Sequence, residues 1–304
     1  MAVAVFLGAV RDAGRVEIIM RVIFSFSLLV LIALSMAVSA QRPEDMTRKL
    51  WDTAFSGSST KKTANRRRAY RNATPNVPVN NVAPETVVGV TLWRLRRPTR
   101  TDSGERIIVH DDNATTEWLP ERISATTKLG GGDRLRISVE AVRAGYVYII
   151  DREQYADGSL GEPYLIFPTN RTGGGDNQVG IGRLLDIPAQ DDSPPYFVMR
   201  KSRPDHVAEV MSVIVTPTRL EGISITDKAL KLTDEQVAMW EREWGSSVGR
   251  MEMAMAGQPW TKEERDARTR ALNASAPPPQ LVFYRPSVKP TEPMFVKLRL
   301  QYRR

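Results

Sequence analysis

The 304 residues carry 43 Lys or Arg against 35 Asp or Glu, a formal charge of +8, with two His and no Cys. That length suffices for a sizeable core, in one large domain or two small ones. Absence of cysteine excludes disulfides, thiolate metal sites, cysteine nucleophiles and a lipidated N-terminal Cys.

Arg21 is followed by VIFSFSLLVLIALSMAVSA, an uncharged apolar run with small residues at Val38 and Ala40. The pattern predicts a secretory signal peptide over 1–40, cleaved after Ala40, with Met20 as the true start because Met20-Arg21 supplies the short basic segment. The run nearly reaches the ~20 residues of a membrane-spanning helix. Ser25, Ser27 and Ser35 dilute it and QRPED follows at once, so cleavage is expected to leave no transmembrane helix. The mature protein is expected to be exported, either periplasmic or secreted.

Residues 41–84 hold nine Lys or Arg against three acidic residues, with the excess concentrated in KKTANRRRAYRN. The Pro- and Asn-rich ATPNVPVNNVAP that follows does not build a packed element. This segment is a basic flexible leader. In an exported protein it would meet anionic lipid, lipopolysaccharide or wall polymer rather than nucleic acid, each Lys or Arg near such a surface gaining about 1 kcal/mol. Arg66, Arg67 and Arg68 are the candidate contacts, and a solvated linker without a partner is the competing reading.

The ordered domain is expected over 85–304. ETVVGVTLWRLRR (85–97) alternates Val88, Val90 and Leu92 against Val87, Thr91, Trp93 and Leu95, the period of a strand. RIIVHDDNATTEWLP offers a second. In DRLRISVE, Leu135, Ile137 and Val139 oppose Arg134, Arg136 and Ser138, predicting a half-buried strand with its arginines in water. GYVYIID has no polar face and is expected to be central and covered on both sides, with Tyr146, Tyr148 and Phe167 mostly buried. Asp157-Gly158 turns the chain and PYLIFP returns antiparallel, ended by Pro168. GRLLDIP, PPYFVMR and VAEVMSVIVTP complete about seven or eight short strands, a sandwich pattern. Residues 218–279 read as a helical insertion. Thr233 stands three before Gln236 and Thr261 three before Glu264, both capping patterns, and Val237, Trp240 and Trp244 share one helical face. LVFYRP and PMFVKLRLQYRR then return to strand. The fold class is mainly β, an antiparallel β-sandwich-like domain with a C-terminal α-helical insertion and a returning C-terminal strand.

The order GDRLRISVEAVRAGYVYIID, ADGS, PYLIFPTN, GRLLDIPA, PYFVM, EVMSVIVTP over about residues 85–216 resembles the bacterial family catalogued as domain of unknown function 4384. The pieces that carry the likeness are Gly132-Asp133, Gly145-Tyr146-Val147-Tyr148, Leu165-Ile166-Phe167-Pro168 and Leu184-Leu185-Asp186-Ile187-Pro188. The resemblance implies a β-sandwich-like module of exported or multidomain bacterial proteins and transfers no catalytic residue.

Chemistry-bearing motifs are sparse. His110 in HDDN lacks the distal Glu of a calcium loop, and His206 in RPDH reads as a solvated loop rather than part of a triad. GGGDNQVGIG fits neither phosphate-loop pattern. Asp191-Asp192 lies in a Pro-rich loop where solvation suffices. No catalytic, cofactor or metal residue is assigned. The expected function is a non-catalytic binding or assembly module of the bacterial envelope, holding an envelope protein or an anionic surface polymer through Arg66, Arg67, Arg68, Trp240 or Trp244. The alternative is an envelope hydrolase built from carboxylates distant in sequence, which would need a cleft holding two of them about 5 to 10 Å apart.

Overall fold

The computed structural model describes residues 86–111, 114–272, 276–285 and 292–303. The predicted signal and leader, with Arg66, Arg67 and Arg68, lie outside them, as do Asp112 and Asn113 of the HDDN turn. Among the described residues no helix is long and apolar enough to cross a membrane.

The strands run β1 (Thr86–Arg96), β2 (Ile107–Asp111), β3 (Ala114–Arg122), β4 (Arg134–Ala141), β5 (Gly145–Tyr155), β6 (Tyr164–Phe167) and β7 (Gln178–Val179). They continue as β8 (Leu184–Ile187), β9 (Phe197–Val198), β10 (His206–Thr216), β11 (Leu230–Lys231), β12 (Gly249–Glu252), β13 (Leu281–Arg285) and β14 (Met294–Gln301). Two helices, α1 (Asp234–Trp244) and α2 (Lys262–Asp266), lie between β11 and β13. The protein is thus mainly β, an antiparallel sandwich of an eight-stranded and a six-stranded sheet. In the first sheet β4 pairs with β1, and β1 changes partner along its other edge from β13 to β3. In the second, β11, β6, β5, β10 and β14 follow one another.

Alternation along the strands decides which side chains meet between the sheets. Val88, Val90 and Leu92 of β1 and Leu135, Ile137 and Val139 of β4 face Val147 and Ile149 of β5, Met211 and Val213 of β10, and Val296, Leu298 and Leu300 of β14. The opposite face of the second sheet is covered as well. Tyr148, Ile150, Ile214 and Phe295 pack with Val237 and Trp240 of α1, so β5 is central and sealed on both sides, as its apolar run predicts. Tyr148 and Phe167 are buried and Tyr146 is half-buried. Gly145 admits no side chain, because a Cβ there would lie 2.5 Å from the Thr216 carbonyl oxygen. Tyr148 also accepts, through Oη, the Leu220 N–H at 2.9 Å. Replacing Tyr148 with Phe is expected to lower unfolding free energy by about 1 to 2 kcal/mol in urea titration, since it strips one partly buried donor of its acceptor.

The helical content of 218–279 is smaller than its sequence suggests. Thr233 accepts Gln236 N–H at 3.1 Å and starts α1. Thr261 and Glu264 form a reciprocal capping box, yet α2 ends after five residues. Its chain then turns outward to β7 and β8: Ala267 accepts from Leu184 N–H, and Leu272 N–H donates to Gly182. The rest of the segment adds β11 to one sheet and β12 to the other.

Candidate functional site

The outer face of the first sheet is the part of the fold where polar chemistry collects. Arg134, Arg136, Ser138 and Glu140 alternate along the outer row of β4, opposite Leu95, Trp93, Thr91 and Gly89 of β1. The water-facing row expected from sequence is instead covered. Arg136, Ser138 and Glu140 are each no more than 2% exposed, because Trp260 and Glu264, both equally buried, fold down over the sheet.

Under that cover the polar groups bind one another. Trp93 Nε1–H donates to Ser138 Oγ at 2.8 Å, and Ser138 in turn donates to Asp186 Oδ1 at 2.5 Å. Arg136 lies 3.3 Å from Asp186 Oδ2, donates Nε–H to the Pro188 carbonyl at 3.1 Å and sits 5.1 Å from the centre of the Trp260 ring. Arg122, from the end of β3, forms an ion pair with Glu264, donates to the Pro278 carbonyl at 3.1 Å and lies over Trp93 at 4.9 Å. Burial pushes both arginines below the usual guanidinium range and pushes the Glu264 carboxyl up, against the attraction of the partners. A buried charge that is paired and hydrogen-bonded in this way fixes a surface in place and is not free to attack or exchange protons with a substrate.

Beyond Ser138 the face opens into a recess of about 460 Å³ between the GGGD turn and the start of β8, with Asp176, Arg183, Asp186 and Arg268 on its walls. Asp191 pairs with Arg268, whose hydrogen bond holds its carboxyl below the usual range. Asp192 accepts Gly173 N–H at 2.9 and 3.0 Å and Ala189 N–H at 2.6 Å. These two carboxylates, expected to be merely solvated, therefore tie the rim of the recess together.

At the opposite end of β4 the cover is thinner, with a buried Trp118 at its centre. Trp118 of β3 is flanked by Arg97 and Arg134, each guanidinium carbon 4.3 Å from its ring centre, and Tyr196 meets it edge-on at 6.1 Å. Arg97 is exposed and Arg134 half-buried.

A second polar cluster closes one end of the sandwich interior. His206, expected in a solvated loop, opens β10 and is fully buried, its ring edge-on to Tyr155 and Tyr302. Its Nδ1 accepts Ser202 N–H at 3.3 Å and its Nε2 lies 3.0 Å from the Ala208 carbonyl. Asp205 pairs with Arg203 rather than with the imidazole. Asp151 and Glu209 lie in the same cluster. Burial and mutual repulsion push the Asp151 carboxyl up to about 7, and burial does the same for Glu209. Neither carboxyl lines the recess.

Of the residues singled out in the sequence, Trp240 is 5% exposed and stacks on the half-buried Trp244 at 5.7 Å. That stripe packs onto its own sheet, so Trp240 is not free for a partner. His110 lies on the exposed side of β2 with Nδ1 3.1 Å from Thr115 Oγ1. Arg97, Trp118, Arg134 and Tyr196 were not singled out, since they come together only when β1, β3, β4 and β9 are assembled. The class this defines is an antiparallel β-sandwich whose outer sheet face is sealed at one end by buried ion pairs and carries two arginines over a buried indole at the other. Compared with protein-family models, curated proteins and solved structures, the chain has no match.

Proposed function

We propose that the protein is a non-catalytic, exported binding module of the bacterial envelope, of the kind implied by its resemblance to the domain of unknown function 4384 family. The observation that supports this reading best is the division of the first sheet's outer face. Its acids and bases are spent on mutual pairing in the covered half, and its other end carries the exposed Arg97 and half-buried Arg134 over a buried Trp118. The hydrolase alternative needs two carboxylates in one cleft. The recess carries Asp176 and Asp186, but Asp186 is bound to Ser138 and Arg136 and Asp176 accepts the Gln178 N–H at 3.0 Å, while Asp151 and Glu209 sit away from it at the end of the sandwich interior.

In this reading the leader adds a salt-sensitive attachment to anionic envelope polymer through Arg66, Arg67 and Arg68. Co-sedimentation of the mature chain with envelope fractions, at low and high salt, tests it. Attachment is expected at low salt, and changing the three arginines to Gln should weaken it by about 1 kcal/mol per residue. Absence of sedimentation at any salt, or turnover of an envelope polymer by the protein, would sink the reading.

A further inference from the structure

Arg97 and Arg134 stand apart from the other arginines of their neighbourhood. Arg94 and Arg96 share Glu121, Arg96 also takes Asp102, and Arg106 pairs with Glu117. The nearby Asp133 accepts Gly130 N–H at 2.8 Å and lies 4.0 Å from Arg303. The local carboxylates are thereby committed. Among the described residues neither the Arg97 nor the Arg134 guanidinium has a carboxylate or any other hydrogen-bond acceptor, and Arg134 Nε is buried without one. The buried Arg134 Nε carries a desolvation cost, while the Arg134 Nη groups and the exposed Arg97 fork are the donors an arriving acceptor meets.

Trp118 makes the arrangement a site rather than two loose side chains. An indole between two guanidinium groups restrains both by cation–π attraction, which lowers the ordering cost of a later ligand. Each guanidinium carbon lies 4.3 Å from the same ring centre, so the two like charges stand no more than twice that far apart, and an anion at their outer edges relieves that repulsion. Guanidinium forks match the oxygen spacing of phosphate and engage it with paired N–H donors. Two such forks balance the charge of a phosphate monoester.

We propose that Arg97 and Arg134, braced on Trp118 beside Tyr196, bind a phosphate group. The proposal rests on the binding-module reading and names the chemistry that this end of its face recognises. The phosphate could be carried by a soluble ester or by a lipid headgroup.

Calorimetric titration of the full mature protein with inorganic phosphate, at fixed ionic strength against a chloride control, tests the site directly. Saturable binding is expected, weakened at least tenfold by R97Q or R134Q alone and abolished by both, with R100Q as a control that leaves it unchanged. The double variant should keep the melting temperature of the wild type, which separates loss of the site from loss of the fold. A second arm uses phosphatidylcholine vesicles containing phosphatidic acid. Vesicle binding that disappears in the double variant assigns the lipid source, and vesicle binding absent in the wild type assigns the soluble ester. Wild-type protein that takes up no phosphate, or a double variant that takes it up equally well, overturns the proposal. Envelope sedimentation would be untouched by that failure, so the wider reading stands or falls separately.

Discussion

Replacing Glu264 with Ala is expected to destabilise the protein by about 3 to 5 kcal/mol, as breaking one side of a buried ion pair does. The Glu264 half of the capping box, which accepts the Thr261 N–H and hydroxyl, is lost as well, while Thr261 still caps the helix. The reason is the state in which Arg122 is left. It is 1% exposed, and its other contacts are the Pro278 carbonyl, Met255 Sδ and the Trp93 ring. Of the charges left, the buried Glu140 carboxylate attracts Arg122, more weakly than Glu264 does. Glu264→Gln keeps one acceptor oxygen, for Arg122 or for Thr261 but not for both, because the other carboxylate oxygen becomes an NH2 donor, so it should cost less than Ala but more than the charge alone. Burial dominates the shifts of both partners, lowering Arg122 and raising Glu264, which means the pair costs much of what it gains. Joint replacement by Met at both positions should therefore recover most of the loss. Urea unfolding of the three variants makes the comparison. A Glu264→Ala protein within 1 kcal/mol of the wild type, an about average effect for any point substitution, would mean that the cover over β4 is not anchored by this pair.

The cover also shows where sequence reasoning reaches and where it stops. β5 could be read directly, because five apolar residues in succession leave no face for water, and the structure places the first sheet on one side and α1 on the other. β14 was equally legible: Phe295 faces α1 while Val296, Leu298 and Leu300 face the sandwich interior. The alternation in β4 is real as well, and its apolar row is inside. Alternation establishes only that two faces differ; it does not say what lies above the polar one. Here the covering residues, Trp260 and Glu264, come from a segment far along the chain whose helix is too short to display a stripe. His206 was misread for the same reason. Its immediate neighbours Arg203, Pro204 and Asp205 are polar or turn-forming, and the rings that enclose it, Tyr155 and Tyr302, arrive from β5 and from just past β14. The Arg97–Trp118–Arg134 group is a tertiary feature of this type too, with each member unexceptional in its own stretch.

Stability is expected to fall as pH rises from about 4 to about 7, and to level off above, with Asp151 and Glu209 as the main source. Both carboxyls are raised to about 7 in the folded protein, whereas in the unfolded chain they titrate near their ordinary values of about 4. Across that interval the folded state holds protons that the unfolded state has released. Each retained proton then tilts the balance toward unfolding, by up to about 1.4 kcal/mol per pH unit. His206, whose Nε2 lies 3.3 Å from Glu209 Oε1, opposes the held proton on Asp151, and burial with the other groups facing the pair outweighs it. Glu153 lies beside Glu209 across the strands and stays charged, because hydrogen bonds from Ser202 at 2.6 Å and Tyr155 at 2.8 Å outweigh its burial. Asp151 Oδ1 and Glu209 Oε2 are buried without partners. Tyr302 has one hydroxyl proton but two acceptors in reach, the Arg200 carbonyl at 2.8 Å and Glu209 Oε1 at 2.7 Å. A protonated Glu209 satisfies both, donating to Tyr302 while Tyr302 donates to Arg200. Glu264 titrates in the same direction, so the wild-type curve alone does not assign the effect, and the difference between curves does. Asp151→Asn and Glu209→Gln should each flatten the slope between about pH 5 and 7 and raise the melting temperature near pH 8, where the wild type carries unrelieved charge. Melting curves over that range decide it: slopes unchanged in both variants would show that the two carboxyls release their protons together with those of the unfolded chain.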